Sequence, residues 1–499
     1  MIRLHRDERG QSLPIVLALI TVIFLMGSAL AAHASVALRT TVANEGQAGD
    51  LYAADAGAEL GMWWQRNGNS GLTVPPITVN GLPVAASFTS TTVPCPTPSP
   101  VALTGFEHGA ASASGGGIFA AMTGPGLSAD TVVRRTGTYS LKVIANGAAA
   151  NNASLTIDTP APGVAVVRVY VRLASDPAAD VNELMLLDAG AGNDLRLGYR
   201  ASTNKLTLRF GALAVTVGST TITAGTWYRI DIRFIANANP RTAAWQIDGT
   251  GQTLVTDVAE AGSTVGILRF GSTISADTFT ANYDDVLISA TTADYPIGAG
   301  TVIGLRPDGI GTNSGAGSFT EEDGTAIDAN SYTHVDDNLM TGIADYIIQP
   351  TAAAGSYIEV TFADTVATCV VGVSGVLAYH APNNFTNDGQ TRVVDGTTER
   401  VLYDGDMGIN VVSYKSAVIA PTAASWTPTT VNGLRARIGY STDANPDPYW
   451  DALRLEVATG IGVPGTVTVT SQAGSSTVTT TYPDVGSLPP ALSSWTTSQ

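Results

Sequence analysis

The sequence predicts a mainly β protein in which one long N-terminal transmembrane helix is followed by two β sandwiches in tandem. Residues 13–32 carry no charge, and a helix-compatible pattern runs on to Trp64 without a proline after Pro14. From residue 105 onward, short alternating strands recur between Gly and Asn turns, the pattern of sheets with one apolar face each. The segment Tyr283-Asp284-Asp285-Val286-Leu287-Ile288 is echoed by Tyr449-Trp450-Asp451-Ala452-Leu453-Arg454-Leu455, as expected if two similar units each end on such a strand.

The apolar run is about 20 residues long, enough to cross a bilayer as one helix. Its continuation from Ser35 ends at Asn67-Gly68, a helix stop, so a single helix of roughly 50 residues is expected, half in lipid and half in water. The start of the chain reads Arg9-Gly10-Gln11-Ser12-Leu13-Pro14, a short charged leader before a greasy helix.

This arrangement resembles the N-terminus of type IV pilin-like proteins, including minor pilins with a PilX-type N-terminal region. The resemblance implies that a prepilin peptidase cuts on the cytoplasmic side between Gly10 and Gln11, and that the helix then packs with other pilin-like subunits in a filament. It also implies residence in the cytoplasmic membrane as a single-pass precursor, then at the cell surface or in an extracellular filament. Most pilins carry a glutamate at the fifth residue after the cut, and this chain has Ile15 there. Within the family that loss goes with subunits at the filament tip. Archaeal-type and Tad-type pilus proteins share the basic-Gly cut. Two other readings stand beside this one: a secretory signal cleaved after Ala32-His33-Ala34, and a plain membrane anchor. Asp7 and Glu8 in the leader, and the helical pattern that runs through the second cut, speak against a secretory signal.

The boundaries that follow are a leader at 1–10, the helix at 11–67, a β and Pro-rich connector at 68–104, a first sandwich at 105–299, a second at 300–459, and a Thr/Ser-rich segment at 460–499. The connector holds an Asn80-Gly81 hairpin signal and the stiff run Pro94-Cys95-Pro96-Thr97-Pro98-Ser99-Pro100. The last segment alternates β-branched and polar residues at 466–470 and 477–482. It either pairs with 68–93 as a small sheet beside the helix, with everything between inserted, or both pieces are linkers.

In the first sandwich, strands are expected at 139–144, 164–173, 184–188, 195–199, 205–210, 227–234, 243–248, 266–270 and 283–288. The opening Gly105-Phe106-Glu107, the run Arg-Thr-Gly-Thr-Tyr-Ser-Leu-Lys at 135–142, Thr-Trp-Tyr-Arg-Ile-Asp at 226–231 and the closing 283–288 resemble concanavalin-like (LamG-type) jelly rolls and related carbohydrate-binding modules. In such folds the first and last strands lie side by side, and the resemblance implies a candidate structural calcium at Glu107 and Asp285, with Asp284 as the alternative. The plainer expectation is that Asp285 accepts backbone hydrogen bonds at a strand entry.

Charge and composition exclude several classes. A net charge of −17 with only three lysines, Lys142, Lys205 and Lys415, leaves no basic face for nucleic acid. His108, His334 and His380 lack metal-ligand spacing, and no nucleophile elbow, phosphate loop or histidine-centred triad occurs. Asp284 with Asp285, or Asp336 with Asp337, are adjacent in strands, so each pair should point to opposite faces and cannot supply the facing acids of glycoside hydrolysis. We therefore expect no enzyme and no cofactor beyond the candidate calcium. A polysaccharide-active enzyme is the weakest alternative.

Cys95 and Cys369 admit a disulfide outside the cell, although the sequence alone favours a buried thiol at Cys369 and a loop thiol at Cys95. Rings that could stack on sugars are Trp227, Tyr228, Trp245, Trp426, Tyr449 and Trp450, but alternation puts 227 and 228, and 449 and 450, on opposite faces. The expected role is non-enzymatic display of β domains at or near a filament tip, for adhesion to an extracellular glycan or protein. The alternative is a membrane-anchored or secreted spacer with lectin-like folds.

Overall fold

The computed structural model describes residues 12–66, 77–90, 98–109, 119–157, 161–190, 194–211, 213–257, 263–314, 319–336, 346–349, 356–365, 367, 369–380, 388–406, 413–423, 425–440, 449–460, 466–473, 476–483 and 494–498. The chain is mainly β with one long helix, and it divides into two compact units: residues 1–93 with 464–499, and residues 94–463.

The first unit is built on helix α1, Ser12–Arg66. Pro14 falls in the first turn, where its missing N–H is not needed by the helix. The apolar half is exposed on every side, with Leu17, Phe24, Leu25 and Met26 all more than 60% accessible, and it is long and apolar enough to cross a membrane. Its hydroxyls are satisfied within the helix: Thr21 Oγ1 donates to the Leu17 carbonyl at 2.8 Å and Ser28 Oγ to Leu25 at 2.9 Å. In a hydrocarbon core an unpaired hydroxyl would be costly, so this internal bonding suits the segment to lipid.

Further along α1 the buried positions become Ala53, Ala54, Gly57 and Ala58, one helical face of small residues. That face packs on an antiparallel sheet ordered Ile77–Val79, Leu82–Ser90, Thr466–Ala473, Ser476–Pro483, Ser494–Ser498, with Val84, Ala473 and Val478 in the shared core. The first hairpin turns at Asn80 (φ 52°) and Gly81 (φ 80°), left-handed conformations that this residue pair adopts at low cost. Its second strand pairs with the C-terminal one from Val84↔Ala473 to Ser90↔Val467. The two ends of the chain thus close one sheet, and residues 94–463 are an insertion between adjacent strands.

The insertion contains two sandwiches. In the first, a seven-stranded sheet with Val181–Asp188 at its centre faces a nine-stranded sheet centred on Val164–Leu173 and Thr278–Ser289. Phe210, Phe234, Trp245, Phe270 and Tyr283 fill the space between them, all 1% accessible or less. Pro100–Thr104, read in the sequence as the tail of the connector, pairs with Thr278–Ser289 and belongs to this sandwich. In the second sandwich a six-stranded sheet led by Tyr449–Gly460 and Val370–His380 faces a five-stranded sheet containing Tyr357–Phe362, Arg435–Tyr440 and Asp388–Asp395. Its core includes Phe319, Trp426, Trp450 and Leu455.

Cys369 is disulfide-bonded and 7% accessible, which corrects the expectation of a buried thiol. The other cysteine of the sequence, Cys95, lies outside the described residues. Sequence spacing carries no information on which sulfurs the fold brings together.

Gly57 lies against the sheet with no room for a side chain. A Cβ there would sit 2.1 Å from Ser471 Oγ and 2.4 Å from Val84 Cγ1. A side chain would gain about 1 kcal/mol of helix propensity at most, less than the roughly 1–3 kcal/mol that overpacking costs. Gly57→Val is therefore expected to destabilise the first unit by about 2 kcal/mol. Chemical denaturation, or faster proteolysis of residues 466–498 in the detergent-solubilised chain, would detect it.

Candidate functional site

The charged residues singled out in the sequence meet where the two sandwiches join. Glu107 follows Phe106, whose φ of 59° turns the chain sharply after the opening strand. Its carboxylate accepts the N–H of Thr138 at 2.8 and 3.0 Å and that of Tyr139 at 3.3 Å. Gly137 (φ 61°) explains the Thr-Gly-Thr motif: a Cβ there would lie 2.0 Å from Glu107 Oε1. Only glycine lets this loop wrap the acid.

Asp284 and Asp285 are both fully buried, contrary to the opposite-face expectation. The pairing of Thr278–Ser289 with Val164–Leu173 shifts register between Asp284 and Leu287, and Asp285 has φ 53°. This irregularity breaks alternation and turns both carboxylates to the 135–136 loop. Asp284 accepts the N–H groups of Arg135 (2.8 Å), Thr136 (3.3 Å) and Asp285 (2.8 Å). Asp285 accepts Arg135 Nη1 at 2.5 Å, Thr136 Oγ1 at 2.6 Å and the N–H of Val302, the first sandwich thereby gripping a strand of the second. Arg135 Cζ also lies over the Tyr170 ring, 3.5 Å from its centroid. Burial, and then the Asp285 charge, push the Asp284 carboxyl well above its usual range.

The second sandwich contributes Arg454 and Glu456. Glu456, wholly buried, accepts the Glu107 N–H at 2.8 Å and the Thr104 hydroxyl at 3.3 Å, while its Oε2 has no partner. Arg168 reaches from the first sandwich to the Thr459 carbonyl at 3.3 Å and holds the Asp285 carbonyl at 3.2 Å. Gly300 permits that approach, since a Cβ there would be 2.1 Å from Arg168 Nη1. Around this polar seam Leu103, Val166, Leu287, Val302, Val371 and Ala458 form an apolar collar. Arg454 and Glu456 went unnoticed in the sequence because Leu-Arg-Leu-Glu-Val reads as an ordinary half-exposed strand.

The remaining candidates are scattered. Gly10, Gln11, Cys95 and Asp337 lie outside the described residues. His108 is buried at the junction, where burial and the Arg454 charge lower its pKa to about 3. His334 stands between two acids in the second sandwich, its Nε2 3.3 Å from Glu321 and its Nδ1 2.8 Å from Glu322. Among the described residues no three His, Cys, Asp or Glu converge as metal ligands. Trp245, Trp426 and Trp450 are core residues, and Tyr228 packs against the first core. Trp227 and Tyr449 remain half-buried. A groove of about 650 Å³ between Pro98–Val101 and Trp426 is lined mainly by Pro, Val, Ile and Ala, which offer little to orient a polar ligand.

Two outcomes are expected. All six oxygens of Glu107, Asp284 and Asp285 accept protein hydrogen bonds, so chelation of divalent cations should leave the melting temperature unchanged; a large drop would assign calcium to this seam. Burial raises Glu107 to about 7 and Glu456 to about 8, against 4.5 for the ordinary group. Acids with raised pKa bind protons in the folded state that the unfolded chain has released. Their contribution is present below pH 4.5 and is lost as pH rises toward 8, at a slope of about 1.4 kcal/mol per pH unit for each fully linked group. The melting temperature of the inserted unit should fall between pH 5 and 8, and Glu456→Gln should flatten that fall.

No family model matches the chain, and no curated protein matches it. Among solved structures it is similar to a cellulose induced protein, Cip1, at 18% identity over 38% of this chain and 97% of that one, with a TM-score of 0.31. It is also similar to a sialidase at 14% identity (42% of this chain, 21% of that one, TM-score 0.29) and to the Trypanosoma rangeli sialidase at 12% (33%, 27%, 0.26). The chain thus spans about a quarter of either sialidase, and likenesses this loose transfer no activity.

Proposed function

We propose that the chain is a non-enzymatic, pilin-like minor subunit that carries its β sandwiches outward on α1, for adhesion to an extracellular glycan or protein. The observation that supports it most is the division of labour along α1. Its first half is apolar and exposed on all sides, and its second half uses a face of small residues to dock a sheet made from both ends of the chain. An apolar rod with no covering needs lipid or other apolar helices around it, and a filament core or a bilayer supplies them. In this reading a prepilin peptidase removes residues 1–10, the new amino terminus is Gln11, and the partners are the membrane and other pilin-like subunits. Ile15 in place of an acid leaves nothing to neutralise a neighbour's amino terminus, which suits a position at or near the tip.

Mass spectrometry of the mature protein recovered from the cell surface provides the test. A first residue of Gln11 is expected. A start at Ser35 would make the apolar helix a discarded secretory signal, and an intact Met1 would make it a plain anchor; either result overturns the assembly role.

A further inference from the structure

The seam between the sandwiches sets four buried carboxylates, Glu107, Asp284, Asp285 and Glu456, against the buried arginines Arg168 and Arg454 and the part-buried Arg135. Arg135 and Arg168 stand around Asp284 and Asp285, two cations to two acids. The pair Glu107 and Glu456 is served less well: the Arg454 charge acts on both, one cation to two acids, and the Asp285 charge bears on Glu107 as well. Arg306, exposed just past the strand Gly300–Leu305, acts on Arg454 in turn. Tyr139 and His108 also lie beside Arg454; burial, and then the Arg454 charge, keep the His108 imidazole uncharged. On the flanking strands Glu456 is opposite Gly304 and Ser374, which bring no charge, and the Ser374 hydroxyl donates to the Ala417 carbonyl at 3.1 Å.

Hydrogen-bond donors separate the four acids. Both oxygens of Glu107, Asp284 and Asp285 accept from backbone N–H groups, from Thr136 Oγ1 or from Arg135. Glu456 differs: its Oε1 accepts the Glu107 N–H and the Thr104 hydroxyl, whereas its Oε2 is sealed from solvent with no donor to meet it. A buried anionic oxygen without a donor is strongly disfavoured, and a proton on it removes that cost. Backbone N–H groups favour the anion at Glu107 and Asp284; nothing does so at Glu456 Oε2.

We propose that Glu456 keeps a proton on Oε2 while the junction is closed, and that losing it loosens the joint between the two sandwiches, so that this seam senses pH. Burial, with the Glu107 charge adding to it, raises the Glu456 carboxyl to about 8 against 4.5 for the ordinary group. An open junction wets Glu456 and returns it to the ordinary value. The contribution of this proton to closure is therefore full below pH 4.5, weakens about tenfold per unit up to about 8, and is gone beyond. The joint yields before the sandwiches do, since Phe210, Phe234 and Trp245 fill one core and Phe319, Trp426 and Trp450 the other.

The test is hydrogen exchange of the detergent-solubilised full chain, compared at matched pH with Glu456→Gln, which puts an uncharged group of the same shape in place. Peptides covering 102–108 and 300–305 report the joint, because the Glu107 and Val302 N–H groups bond across it. Peptides covering 205–210 and 435–440 report the two cores. In the joint peptides the ratio of wild-type to variant exchange should rise about tenfold per unit between pH 5 and 8, and in the core peptides it should stay level. Infrared spectroscopy at pH 6 should show a protonated carboxyl band that the variant lacks. The proposal is overturned if the ratio does not change with pH, if the cores lose protection equally, or if the variant keeps the whole band. Should the variant fail to fold, the wild type decides alone: exchange in the joint peptides must climb with pH more steeply than in the core peptides, and a parallel climb overturns the proposal.

Discussion

The antiparallel pairing of Leu82–Ser90 with Thr466–Ala473 is the contact on which the architecture depends. It closes a loop of several hundred residues, yet loop closure grows only logarithmically in cost, and a preformed insertion reduces it further. The gain is a sheet broad enough to cover the small-residue face of α1. A lone hairpin at 77–90 would be marginal by itself, since three or more strands with a buried face are needed for independent stability. The sheet that docks the helix thus draws its strands from both sides of the insertion.

Within the insertion, the two sandwiches act as one body because their junction is polar at its centre and apolar around it. Glu107, Asp284, Asp285 and Glu456 are all buried, and each is met by backbone N–H groups, hydroxyls or arginines. Such groups fix geometry more than they add stability, because desolvating a charge costs about as much as its partners return. Here the return is a register: Asp285 takes Val302 N–H, Glu456 takes Glu107 N–H, and Arg168 takes the Thr459 carbonyl, three bonds that a shifted interface would lose together. Glycines at 137, 300 and 304 supply the close approach these bonds need.

The reading of a minor pilin-like display protein draws on the first half of α1. It stems from an uncovered apolar rod. A net charge of −17 with few lysines is consistent with it, since such a chain resists association with anionic polymers while leaving neutral ligands free to approach.

The sequence by itself determined what local pattern can encode. The long helix follows from an uncharged run without proline, the β sandwiches from period-two alternation, and the absence of a basic face from composition. Strand ends such as 164–173, 205–210 and 266–270 were legible to within a residue or two, because each strand advertises its buried face. Tertiary structure alone decided which strands pair, that 100–104 joins the first sandwich, that Cys369 is oxidised, and that Asp284 and Asp285 turn to one loop through a register shift. It also decided which member of Tyr449 and Trp450 faces the core. The reason is the same throughout: alternation fixes that two faces exist, but the energy that selects partners lies in contacts between residues distant in the chain, and no local window records them.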